Sequence, residues 1–142
     1  RRSGFRLVWR NVRHEGRAGS GDPQIPADAA LADLRALPWE RVAAYDRAFF
    51  PAERDAFLQA WIDPPGGHAL GLTRDGALVA SGVVRPCRTG YKVGPCFADT
   101  PALAEALFQA LQSRVPAGST LFLDVPEPNG DALALARRHG MA

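Results

Sequence analysis

Apolar residues change their spacing several times along this chain, and each change marks an element. Phe5, Leu7 and Trp9 alternate with polar positions, the two-residue period of a strand with one exposed face, and predict a strand over residues 5–13. Residues 16–26, rich in Gly, Ser and Pro, read as a linker. Residues 29–34 are open between a short strand and a helical turn after Asp28. From Pro38 the spacing turns helical, because Trp39, Val42, Ala43 and Asp46 fall at i, i+3, i+4 and i+7. Proline suits that first turn, where its missing N–H would have no partner. Pro51 starts a second helix with Arg54, Phe57, Leu58 and Trp61 on one face, and Pro64-Pro65-Gly66-Gly67 ends it.

The second half is more regular. Residues 70–73 and 77–85 are apolar and β-prone, and Arg74-Asp75-Gly76 between them is a strong hairpin signal, since Gly tolerates the positive φ of a tight turn. A loop over residues 86–90 leads to a strand over 91–97. Inside that strand Gly94-Pro95 should break the pairing, because proline has no ladder donor and glycine tolerates a bulge. Thr100 can cap a helix that has Pro101 at its first position. Leu103, Leu107, Leu111 and Val115 recur every four residues with Phe108 alongside, opposite a polar face of Glu105, Gln109 and Gln112. Residues 121–125, polar only at Asp124, fit a buried central strand, and Leu133, Leu135 and Ala136 belong to a last helix over 131–139.

With 142 residues and 46% hydrophobic content, the chain suits one soluble α/β domain with a good core. Six arginines and one glutamate give residues 1–17 a charge of +5, while the remainder carries −3. The arginines alternate with apolar residues as the exposed face of a strand does. The mildly acidic body argues against a nucleic-acid partner. No segment is apolar enough over a sufficient length to span a membrane or to act as a signal peptide. Cys87 and Cys96 have no ligand-spaced companions, so no metal site is expected, and reduced thiols in a cytoplasmic setting are. A single lysine, Lys92, among many arginines, with abundant Ala, Gly and Pro, suggests a GC-rich bacterial genome.

These elements and several motifs resemble the GNAT acetyltransferases, the Gcn5-related N-acetyltransferase superfamily, from about Leu37 to Ala142. Arg85-Pro86-Cys87-Arg88-x-Gly90-Tyr91-Lys92-x-Gly94-Pro95, Tyr45-Asp46-Arg47-x-Phe49-Phe50 and Asp124-Val125-Pro126-Glu127-Pro128-Asn129 are similar to the divergent second module of tandem GNAT proteins. The resemblance implies a mixed, mainly antiparallel sheet with helices on both faces. Asn129, Ala132, Leu135, Gly140 and Met141 match the spacing of the family's last-helix motif, and Gly4-Phe5 matches its end. Residues 1–15 therefore look like the tail strand of a preceding module, 16–28 like a linker, and 29–142 like a second module that stops before its own last strands.

The resemblance also implies a chemistry: acetyl transfer from acetyl-CoA to an amine. Its cofactor stretch maps onto Lys92, Val93, Ala98, Asp99, Thr100, Ala102, Leu103 and Asn129. The family's diphosphate loop is glycine-rich. Here it reads Ala98-Asp99-Thr100-Pro101-Ala102-Leu103, with no glycine, with one N–H removed by Pro101, and with a negative charge at Asp99. The alternative for that stretch is a plain helix start capped by Thr100 or Asp99. The family's tyrosine acid falls at Ala136, leaving Tyr91 as the substitute acid, or as a packed strand residue, and Glu127 as the candidate base, with Asp124 a second base or a buried, hydrogen-bonded acid. Asp46 and Arg54 either recognise the acceptor or pair with each other. His14, His68 and His139, dispersed and without companions, read as surface residues. The alternative to a catalyst is a degenerate module that forms an acceptor pocket or dimer interface beside an upstream GNAT module. The tandem reading predicts GNAT-like sequence upstream of Arg1 in the full-length gene, and a gene without it contradicts that reading.

Overall fold

The computed structural model describes residues 11–49, 62, 66–126 and 130–141. The elements are β1 (Asn11–Arg17), β2 (Ala30–Asp33), a 3-10 turn (Leu34–Ala36), α1 (Trp39–Phe49), β3 (His68–Arg74), β4 (Ala77–Cys87), β5 (Gly90–Ala98), α2 (Pro101–Gln112), β6 (Thr120–Pro126) and α3 (Gly130–Arg138). The strands form one six-stranded sheet in the order β1-β6-β5-β4-β3-β2. Every neighbouring pair is antiparallel except β5–β6. That pair is parallel because α2 carries the chain back between the two strands, as a parallel connection requires.

The sheet separates two cores. On one face α2 and α3 cover Leu72, Ala80, Val84, Val93, Leu121 and Leu123, with Phe108 and Leu107 at the centre and fully buried. On the other, Val42 of α1 packs with Leu34, Ala69, Leu78 and Val83. Alternation along β4 explains the division: Val84 and Ala80 face α2, while Val83 faces α1. The helical stripe predicted on α1 is the buried one, with Val42, Ala43 and Asp46 all buried and Trp39 packed against the second core.

Several boundaries differ from the sequence reading. The first strand runs through Gly16 and Arg17, which read as linker. Glycine leaves room there for the end of α3: a Cβ on Gly16 would lie 2.9 Å from Met141 Cγ, so a larger residue would have to push that side chain aside. Met141 is fixed by a Schellman closure, in which its N–H donates to Ala136 O at 2.9 Å and the N–H of Gly140, at φ 68°, donates to Arg137 O at 3.0 Å. Residues 29–34 hold both alternatives in succession, strand β2 and then the 3-10 turn, where Asp33 caps by accepting from Arg35 N–H at 2.9 Å.

The hairpin at Asp75-Gly76 is as expected, with both residues at positive φ (52° and 79°). The loop expected over residues 86–90 is shorter: Pro86 and Cys87 pair with Tyr91 and Gly90, leaving Arg88-Thr89 as a two-residue turn. α2 ends at Gln112, with Ser113 as its C-cap, rather than at Val115. The helix predicted from Pro51, and residues 1–10 of the predicted first strand, lie outside the described residues.

Gly90 begins β5 directly against β6, and a Cβ there would strike the Thr120 carbonyl oxygen and approach Thr120 Cβ to 2.9 Å. Backbone cannot yield as a side-chain tip can. Gly90→Ala is therefore expected to destabilise the fold by about 2 kcal/mol in denaturant unfolding, whereas Gly76→Ser, with open space around it, pays only for its positive φ.

Candidate functional site

β5 and β6 are joined for three residues only. Tyr91 pairs with Leu121, Lys92 with Phe122 and Val93 with Leu123. Beyond this point β5 stays with β4, out to Ala98↔Ala80, and β6 stays with β1, out to Pro126↔Asn11. The cause lies in β5. Between the pairs Val84↔Val93 and Gly82↔Cys96, β5 carries one more residue than β4, which is the bulge expected at Gly94-Pro95. Gly94 takes φ 156° and Pro95 has no N–H to offer a second neighbour. The facing edges of residues 94–98 and 124–126 consequently have no ladder partner across the opening among the described residues.

α2 begins where the free part of β5 ends. Thr100 is its N-cap: Oγ1 accepts from Leu103 N–H at 3.2 Å, and the Thr100 carbonyl accepts from Ala104 N–H at 3.0 Å. Pro101 has no N–H, so Ala102 supplies the one donor of the first turn that bonds to nothing in the described structure. Asp99, just before the cap, is tied on two sides. Its N–H donates to Val79 O at 3.0 Å, and its Oδ1 lies 2.9 Å from the Tyr45 hydroxyl, which is also 2.8 Å from Val79 O. Burial first, then the bond to Asp99 and its charge, push the Tyr45 pKa upward, so this hydroxyl stays protonated at any ordinary pH.

A family model for an acetyltransferase (GNAT) domain matches residues 42–142. The chain belongs to the GNAT acetyltransferase family. A curated relative, holothin acyltransferase from Pseudoalteromonas sp. (strain SANK 73390), is 23% identical over 108 residues, covering 76% of this chain and 37% of the relative. Among solved structures, a GCN5-related N-acetyltransferase from Kribbella flavida is similar at 17% identity with a TM-score of 0.65, over 95% of this chain and 55% of that one. A tandem GNAT protein from the clavulanic acid biosynthesis pathway is similar at 15% identity with a TM-score of 0.58, over 92% of this chain and 49% of that one. The GNAT chain thus spans little more than a third of the curated relative and about half of these structures.

The structure distributes the expected site residues unevenly. Val93, fully buried, is the last joined residue of β5, and Ala98, Asp99, Thr100, Ala102 and Leu103 follow the opening into α2. Leu103 is a core residue that contributes only its N–H, already used by the cap. Lys92 faces the α1 side, in a row across the sheet between Arg85 and Phe122, and the Arg13 guanidinium lies 5.4 Å from the centre of the Phe122 ring. Tyr91 stands at the joined end of β5, partly buried and packed against the core. Ala136, at the family's tyrosine position, is fully buried. Asp46 is buried at 6% exposure on the inner face of α1. Glu127, Asn129 and Arg54 lie outside the described residues.

Cys96 falls on the free stretch of β5 but packs against the core, and burial pushes its thiol up to about 12. It is therefore a poor nucleophile near neutral pH.

Two features escaped the sequence. In sequence Tyr45 stood out only within a family motif, and nothing tied its hydroxyl to Asp99, 54 residues away. His139, expected at the surface, is half-buried against the Phe108 ring with centroids 4.5 Å apart, and its Nε2 lies 2.6 Å from Glu105 Oε2. Arg138 Nε–H donates to Glu105 Oε1 at 3.0 Å and Gln109 Nε2–H to Glu105 Oε2 at 2.8 Å, so Glu105 pins the end of α3 to the middle of α2. Burial alone would raise the Glu105 pKa from 4.5, but the bonds from Gln109, Arg138 and His139 outweigh it and lower the value.

A lowered folded pKa contributes stability that is present above the unfolded value and is lost as pH falls through the folded one. Glu105→Gln should therefore cost about 1 kcal/mol at pH 7. The gap to wild type should narrow as pH falls below the ordinary glutamate value of 4.5 and close once pH passes the lowered folded value, as read from denaturant unfolding at several pH values.

Proposed function

We propose that this chain takes part in N-acetyl transfer from acetyl-CoA to a small-molecule amine, with the parted strands β5 and β6 receiving the donor. The opening beyond Val93 carries this reading. Its unpaired backbone suits the amides of a pantetheine arm, which would be bound as an extra strand is. Ala102 N–H at the positive end of α2 suits a diphosphate oxygen. Lys92 and Asn129 are further candidates for the donor side, and Asp46 and Arg54 for the acceptor side.

In the reaction, Glu127, which follows the last residue of β6 in sequence, would take a proton from the acceptor ammonium. The neutral amine then attacks the thioester carbonyl, the C–N bond forms, the nitrogen gives up its second proton to water, and the C–S bond breaks to release CoA thiolate. A thiolate is stable enough near neutral pH to leave and take its proton from water. Neither the packed Tyr91 nor Ala136 is needed for that step.

One observation favours a second reading, an accessory module that shapes an acceptor pocket for an upstream module or for a second copy. Pro101 removes one donor from the start of α2, the Leu103 N–H is taken by the cap, and Asp99 stands beside it. Titrating the chain with acetyl-CoA by calorimetry separates the two. Donor binding predicts a Kd within the range of about 1 µM to 1 mM common for enzyme substrates. Absence of heat up to millimolar ligand, with binding restored when the upstream sequence is present, would instead establish the accessory role.

A further inference from the structure

The Tyr45 hydroxyl has one hydrogen and two oxygens within reach, Val79 O at 2.8 Å and Asp99 Oδ1 at 2.9 Å. Asp99 is exposed and immediately precedes the cap of α2. A carboxylate at that place is attracted to the positive end of the helix, and Ala102 N–H is a donor without an acceptor among the described residues. Left to itself, the Asp99 side chain would compete for the position a diphosphate needs, as a like charge and as a rival acceptor. It does not do so because Tyr45 of α1, crossing from the other core, gives it a different partner.

We propose that Tyr45 is a positioning residue for the donor site: its hydroxyl holds the Asp99 carboxylate toward α1, leaving the start of α2 to the diphosphate of acyl-CoA. This inference rests on the donor reading above and adds to it a link between α1 and donor affinity. The bond joins the two helices on opposite faces of the sheet through the edge of β4, so a shift of α1 changes how firmly Asp99 is held.

The test is a set of four titrations with acetyl-CoA: wild type, Tyr45→Phe, Asp99→Asn and the double substitution, each checked for folding by thermal melting. Tyr45→Phe keeps the ring and removes only the hydroxyl. It should weaken binding about tenfold, the usual effect of one charge-assisted hydrogen bond. Asp99→Asn should tighten binding, and adding Tyr45→Phe to it should change affinity by less than about twofold. A tether of purely structural value would instead lower affinity equally in both backgrounds, and that result overturns the inference. So does wild-type binding that Tyr45→Phe leaves unchanged. If neither wild type nor Asp99→Asn binds acetyl-CoA, the donor reading fails and this inference fails with it.

Discussion

The separation of β6 from β5 is possible only because β6 has another partner. A strand that left its neighbour after three residues would expose a row of N–H and C=O groups on both edges. β1 takes the far edge over seven consecutive pairs, from Arg17↔Thr120 to Asn11↔Pro126. The strand is thus held on one side by antiparallel bonds while its other side is left open beyond Leu123. The bulge at Gly94-Pro95 decides where the opening starts, and β1 decides that β6 stays in place once it has started. Everything proposed about the donor site follows from those two facts.

The two cores meet at the same place. α2 leaves from the free end of β5, and its buried row of Leu103, Leu107 and Leu111 locks its start over the sheet. From the other face, Tyr45 reaches past β4 to the residue before the α2 cap. On the far side of α2, Glu105 gathers Arg138 and His139 from the end of α3. α2 is therefore braced from α1 at its beginning and from α3 at its middle, by polar groups in both cases. Its beginning is the part that directly follows the free stretch of β5.

Much of this is legible in the sequence alone. Helix and strand periods located most described elements, because each depends on burial of one face, and burial is written in the spacing of residues such as Val42, Ala43 and Leu107. The bulge was legible for a similar reason: glycine and proline act locally. Gly16 was misread because its need for a small residue comes from Met141, 125 positions away, and a glycine in a polar stretch looks like a linker from within. Pro86 and Cys87 read as a loop because proline is a poor strand former, yet β4 tolerates it next to the tight turn at Arg88-Thr89. The side-chain network was the least legible part. Tyr45–Asp99 and Glu105–His139 join residues whose only common property is where the finished sheet puts them.

The N-terminal segment changes what counts as the unit of this protein. The family model's match begins at Val42, but β1 and β2, both before it, form the two outer strands of the sheet. A piece cut at the family boundary would lose both borders at once, leaving β6 bare on each side beyond Leu123 and β3 bare along its outer edge. Long uncovered edges recruit strands from other molecules, so such a piece would meet its neighbours as an aggregate. The smallest heritable module and the smallest folding body are not the same stretch of chain.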